Sequence, residues 1–129
     1  MKYTRAWEVK GFKANPPYER VLKVLLCPDL HKTKNFSLGM TVLPPGSSSS
    51  PHIHEKEEEV WYVVWGRGEA KVGDEKIPIE RDVAIYVPPN TSHQLINTGD
   101  ESLKVLWFFT PPGPEKNFWV GRLEKLDMY

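Results

Sequence analysis

Between Gly46 and Asn97 the chain gathers three of its four histidines into a pattern of fixed parity. No other feature limits the fold as strongly. His52 and His54 stand two apart, and on extended backbone residues i and i+2 share a face, so both imidazoles reach one point. Glu59 follows a short acidic loop and heads the apolar run Val60 to Trp65. His93 heads a further strand after the turn Pro88-Pro89-Asn90-Thr91-Ser92. Three imidazoles and one carboxylate converging from strands suit a divalent transition metal, whereas calcium and magnesium prefer all-oxygen shells.

The same residues resemble the cupin superfamily. Its first motif, G-x5-H-x-H-x3/4-E-x6-G, is met by Gly46, His52, His54, Glu59 and Gly66. Its second, G-x5-P-x-G-x2-H-x3-N, is met by Pro88, His93 and Asn97, with Asp82 and Asn90 in place of the two glycines. Asp and Asn tolerate positive φ better than other residues with a side chain, so these turns can survive. The resemblance implies an all-β fold, a small antiparallel double-stranded β-helix (jelly-roll barrel). It also implies that His52, His54, Glu59 and His93 are the metal ligands. Glu58 meets the shorter spacing, but Trp65 then stands where the motif requires glycine. Glu59 is therefore the expected ligand, and Glu55, Glu57 and Glu58 the expected solvated loop face. Cupins that have lost their metal usually lack one of the ligands, and none is lacking here.

Length gives one domain, residues 1–129, with the barrel over about 36–110 and terminal arms 1–20 and 111–129. Taken in order, Trp7, Val9 and Phe12 suggest a short edge strand ended by Pro16-Pro17. Arg20–Cys27 and Phe36–Leu43 read as strands, the second with Phe36, Leu38, Met40 and Val42 on one face. The run Pro44–Pro51 reads as a loop delivering His52. Strands follow at Glu59–Trp65, at 69–72 and 75–79 around the hairpin signal Gly73-Asp74, at 82–87, at 93–97 and at 103–109. Lys116–Val120 suggests an edge strand and Gly121–Tyr129 a short helical tail. Many short strands separated by Gly/Pro turns belong to a sandwich or barrel. Met40, Val42, Trp61 and Val63 are the candidate pocket wall. Tyr86 has parity opposite to Ile85 and Val87, which leaves its face open. Asn97 is expected to hold a turn or support the ligands, and His31 to lie on the surface.

Seventeen basic residues balance seventeen acidic ones, which removes the electrostatic case for a nucleic-acid partner. No apolar run crosses a bilayer, and the N-terminus lacks a signal-peptide core. With one cysteine, Cys27, in an apolar run, the reading is a cytoplasmic protein with an inert buried thiol. Edge segments and aromatics at both ends (Trp7, Phe12, Phe118, Trp119) point to a homodimer.

A six-coordinate metal on four protein ligands keeps two positions for a substrate. The expected function is thus metal-dependent chemistry on a small oxygen-rich molecule: a hydroxy or keto acid, oxalate or a sugar acid. Isomerase, lyase or decarboxylase, and dioxygenase reactions all fit, with manganese, iron, nickel, cobalt, copper or zinc as the metal. The alternative is a non-catalytic protein that binds a metal-chelated metabolite. No residue is assigned as general acid or base.

Overall fold

In the computed structural model, residues 2–119 and 124–125 are described. The expected all-β architecture is present. Among the described residues ten strands form two antiparallel sheets, accompanied by one α-helical turn, α1 (Pro28–His31). The larger sheet has the order β10-β1-β2-β3-β9-β4-β7. Its strands are β1 (Phe12–Ala14), β2 (Arg20–Leu26), β3 (Ser37–Leu43), β4 (Glu58–Trp65), β7 (Ala84–Val87), β9 (Leu103–Thr110) and β10 (Glu124–Lys125). The smaller is β6-β5-β8, from β5 (Arg67–Val72), β6 (Glu75–Glu80) and β8 (His93–Ile96). Alternation builds the space between the sheets. Along β4, Glu59, Trp61 and Val63 are buried while Val60, Tyr62 and Val64 are exposed. Along β9, Leu103, Val105, Trp107 and Phe109 point inward. These side chains and Val87, Ile85, Leu95 and Ala70 form one core.

The β3 face differs from the sequence reading. Ser37, Gly39, Thr41 and Leu43 line its inner side, whereas Phe36, Leu38 and Met40 are only half-buried on the other. The cause is Trp107, which pairs with Gly39 across the β3–β9 ladder. A Cβ at Gly39 would stand 2.0 Å from the Trp107 ring and 2.4 Å from the Lys23 carbonyl oxygen. The inner face therefore carries small residues, and hydrophobic parity misreads it. Stacking of Phe36 on Phe108 belongs to the outer face.

The ends of the chain also depart from expectation. Ala6–Glu8 is a 3-10 turn rather than a strand, and β1 begins at Phe12. Pro114–Trp119 is likewise a 3-10 turn. On the edge away from β2, β1 pairs with β10 through Phe12↔Lys125 and Lys13↔Glu124, inside the segment read as a helical tail. The remainder of that tail lies outside the described residues. Phe118 packs back on Trp107 and Phe12, with ring centroids 5.6 Å and 6.5 Å away. Those two aromatics thus cover their own barrel, while Trp7 stays 63% exposed.

The two substituted turn glycines behave as their chemistry allows. Asp82 has φ 68° and Asn90 φ 57°, both left-handed.

Candidate metal centre

The Ser-rich run before His52 is not a free loop. Ser49 N–H donates to the Leu95 carbonyl (2.8 Å) and Asn97 N–H to the Ser47 carbonyl (2.9 Å). His52 and His93 exchange backbone hydrogen bonds of 3.3 and 3.0 Å. This stretch is laid along β8 as an irregular partner strand. Its serines give no period-two signal, which is why sequence reading takes it for a loop. The pairing sets two histidine-bearing backbones side by side. Glu59 enters from β4 in the other sheet, so the two sheets meet at this point.

The four side chains expected as ligands are brought together. One donor atom from each of His52, His54, Glu59 and His93 lies within 4.8 Å of the others. Two ligands about 2.1 Å from one ion stand at most ~4.2 Å apart, so the widest pair in the cluster needs to close by only a fraction of an ångström. The hydrogen bonds fix the tautomers. His52 Nδ1 meets the Ser50 carbonyl at 2.7 Å and His93 Nδ1 the Thr91 carbonyl at 2.8 Å. Nδ1 is therefore the donor, and Nε2 presents a lone pair inward. Buried polar atoms normally have partners. Here His54 Nε2, His93 Nε2 and Glu59 Oε1 are buried with none among the described residues. His93 Nε2 and Glu59 Oε1 face each other at 3.0 Å, and His54 Nε2 lies 3.7 Å from the same oxygen. The unmatched atoms converge where a cation would satisfy all of them, so the donor set fits a metal.

Charge state supports that fit. Burial, reinforced by His93, holds His52 down to about 4. Burial also lowers His54, against the pull of Glu59. Burial acts on His93 in the same direction, but the charge of the Glu59 carboxylate facing it outweighs burial and the net shift is upward. At neutral pH His52 and His54 are thus neutral imidazoles, the form a metal needs.

Trp61 has a role that parity alone does not show. Its Nε1–H donates to Glu59 Oε2 at 2.7 Å, with both residues buried. The indole fixes the carboxylate so that Oε1 turns toward the histidines. Glu58 points outward, where it accepts from the Tyr86 hydroxyl. Tyr86 itself is 53% exposed, which places it on the outer face. Asn97 is a turn brace: its amide donates to the Leu43 and Glu101 carbonyls (2.9 and 2.8 Å), and its Oδ1 accepts from Gly99 N–H (2.9 Å). His31 is half-buried and accepts from Cys27 N–H through Nδ1 (3.1 Å), at the start of α1. Cys27 is fully buried, and burial raises its thiol.

A cavity of about 510 Å³ opens at the ligands. Of the four residues expected on its wall, Trp61 lines it; Met40, Val42 and Val63 do not. Met40 and Val42 follow the parity error on β3, so Thr41 takes their place, and Val63 is fully buried in the core. The remaining wall includes Leu22, Leu95, Trp107, Phe109 and Phe118, with Arg20 as its one Lys or Arg side chain among the described residues. Neither Arg20 nor Trp107 is marked by any motif, since the fold alone brings β2 and β9 to the cavity.

Comparison with known proteins agrees with this architecture. The cupin domain family matches residues 39–109. An uncharacterized protein of Methanocaldococcus jannaschii is 35% identical over 92 residues, which is 71% of this chain and 74% of that one. The polyketide synthase protein CurC of Streptomyces cyaneus is 30% identical over 111 residues, 86% of this chain and 72% of that one. A crystal structure from Thermotoga maritima, described as a predicted oxalate decarboxylase, superposes with TM-score 0.76 at 27% identity, covering 87% of this chain and all of that one. With inter-sheet ligand geometry, family match and structural likeness in accord, this chain belongs to the cupin family.

Proposed function

We propose that His52, His54, Glu59 and His93 hold one divalent transition metal, and that the site binds a small chelating oxyacid through it. The observation that carries this reading is the convergence of three buried, unmatched donor atoms on one point. Manganese, iron, nickel, cobalt, copper and zinc are all compatible with the donors. Such an ion supplies Lewis acidity, orients an oxygen ligand and lowers the pKa of bound water. The chain's own contributions are distinct. Ser50 and Thr91 carbonyls hold the imidazole tautomers, Trp61 aims the carboxylate, and the aromatic wall excludes water, which strengthens attraction for an anion. The likeness to a predicted oxalate decarboxylase supports a carboxylate ligand, with isomerase, lyase or decarboxylase, or dioxygenase action as the reaction class. Calorimetry with oxalate, a 2-oxo acid and a matched monocarboxylate tests it. The chelating acids bind only to metal-loaded protein, and equal affinity for all three, or binding that survives chelator treatment, refutes the proposal. Elemental analysis of protein purified without added metal identifies the ion.

A second reading, metal-dependent binding without turnover, is favoured by one observation: beyond the ligands themselves no Asp, Glu, His, Lys or Cys stands on the cavity wall among the described residues, where the other titratable side chains are Tyr18 and Arg20. Ligand retention without turnover in the loaded protein distinguishes it. We further propose a cytoplasmic homodimer. Exposed Val60, Tyr62 and Tyr86 on the outer face of the larger sheet, together with exposed Trp7, supply an apolar surface for a second copy. Sedimentation giving a monomer mass at micromolar concentration would sink it. Among the described residues no helix is long and apolar enough to cross a membrane.

A further inference from the structure

The cavity is larger than a two-carbon acid needs. Cavities of several hundred Å³ accommodate ligands of drug-like size, and about 510 Å³ is available here. Its lining is also uneven. The metal ligands occupy one part, aromatic and aliphatic side chains most of the rest, and Arg20 stands at the start of β2. In the larger sheet β2 is three strands from β4, the strand that carries Glu59. At ~4.8 Å per strand this is about 14 Å of sheet, before allowance for curvature and the reach of the arginine. Oxalate bound by the metal through both its carboxylates has nothing left to extend that far.

Arg20 itself is incompletely matched. Its Nη1 donates to the Tyr18 carbonyl at 2.8 Å, and among the described residues no ion pair reaches it. A guanidinium carries five donors in a planar fork that matches a carboxylate. Its half-burial lowers its pKa, a sign that the cation has given up hydration without gaining an anion. The backbone around it is held. Ser47 Oγ donates to the Glu19 carbonyl, tying the start of β2 to the run that leads into His52.

We propose that Arg20 is a specificity-determining residue which receives a second acid group of the substrate, so that the substrate is an apolar or aromatic-bodied acid with a chelating head at the metal and a carboxylate at its far end. The inference rests on the metal-chelation reading above for the head of the ligand, but not for the tail. Leu22, Trp107 and Phe118 supply the contact for the body between them.

The test uses phenyllactate, whose 2-hydroxy acid is the chelating head, and its para-carboxylated analogue. Calorimetry is run on metal-loaded and metal-stripped protein, for the unaltered chain, Arg20→Gln and Arg20→Lys. In the unaltered loaded protein the second carboxylate strengthens binding about 10- to 100-fold, as a charge-assisted bidentate contact would. In Arg20→Gln the ratio of the two affinities falls close to one, and Arg20→Lys keeps an intermediate ratio. Taking the ratio cancels any uniform loss from altered folding. A ratio near one in the unaltered protein, or a large ratio retained in Arg20→Gln, overturns the Arg20 assignment. The chelation reading fails separately, if removing the metal leaves phenyllactate affinity unchanged. An Arg20-dependent ratio in that same stripped protein keeps the tail site alone. No binding of either acid under any condition overturns both.

Discussion

Trp61→Phe isolates how the site holds its carboxylate. The substitution keeps an aromatic ring in the core but removes the N–H that reaches Glu59 Oε2 at 2.7 Å. Both residues are nearly inaccessible, Trp61 at 3% and Glu59 at 4% exposure, so the lost donor is a buried one. A hydrogen bond to a buried charged group is worth about 1.5–3 kcal/mol. Loss of a residue that orients a metal ligand typically costs about 10- to 100-fold in metal affinity, or roughly 1.4–2.7 kcal/mol. The two routes give the same range. Metal affinity is measured by competition with a chromophoric chelator, with Glu59→Gln and the double variant completing a cycle. We expect a 10- to 100-fold weaker Kd for Trp61→Phe and a coupling energy above about 1 kcal/mol. In the metal-free protein the orphaned carboxylate oxygen lowers Tm, by about 3–5 °C per kcal/mol in a chain of this size. A metal affinity within twofold of the unaltered protein, or strictly additive variants, would refute the claim that the indole aims the carboxylate.

Three further outcomes are expected. Glu59→Gln strips most bound metal while Glu58→Gln leaves metal content near its original value, as read by elemental analysis; the reverse pattern refutes the ligand assignment. Metal-free protein loses stability on acidification: His52 lies at about 4, below its ordinary 6.5, so its contribution is complete above about pH 6.5 and disappears as pH falls toward 4. That shift corresponds to at most about 3 kcal/mol, with the raised His93 acting in the opposite sense. Urea titrations from pH 7 to 4 measure it, and a pH slope unchanged in His52→Gln refutes it. Gly39→Ala destabilises the fold by more than about 2 kcal/mol, because its Cβ would meet the Trp107 ring at 2.0 Å and a backbone oxygen at 2.4 Å; a Tm within 2–3 °C of the original would refute that packing.

How much of this was legible in the sequence varies with the physical signal. The four clustered donors were, because strand parity and motif spacing both act on nearest neighbours along the chain. So were the strong strands β4 and β9, whose β-branched and aromatic residues alternate cleanly. The tolerance of Asp82 and Asn90 for positive φ followed from side-chain chemistry and is present. The β3 face was misread because its interior is set by the volume of Trp107, a residue 68 positions away whose demand for space leaves no hydrophobic mark on Gly39 or Thr41. The strand-like run at 46–52 was missed because serines hydrogen-bond well in a ladder without showing apolar alternation. Arg20 entered the cavity through the curvature of a sheet, which local patterns do not encode. At the ends, aromatics that suggested exposed edges were partly spent on intramolecular packing, as Phe12 and Phe118 show.

The reciprocal backbone hydrogen bonds between His52 and His93 bear on which parts of the chain tolerate a change in length. Between Ser47 and His52 the chain is held to β8 at Ser48, Ser49 and His52, so inserting one residue there would turn His52 to the opposite side or break the pairing. Between His54 and Glu58 the chain makes only a bend, with Glu55 and Lys56 exposed. An added or deleted residue is absorbed in that bend without moving either histidine pair or β4. This gives a mechanical reason why the spacing before the glutamate can take two values. Grafting a longer segment between His54 and Glu58 is accordingly the least disruptive way to reshape the mouth of this cavity, whereas a longer serine run would pull His52 out of step with His93.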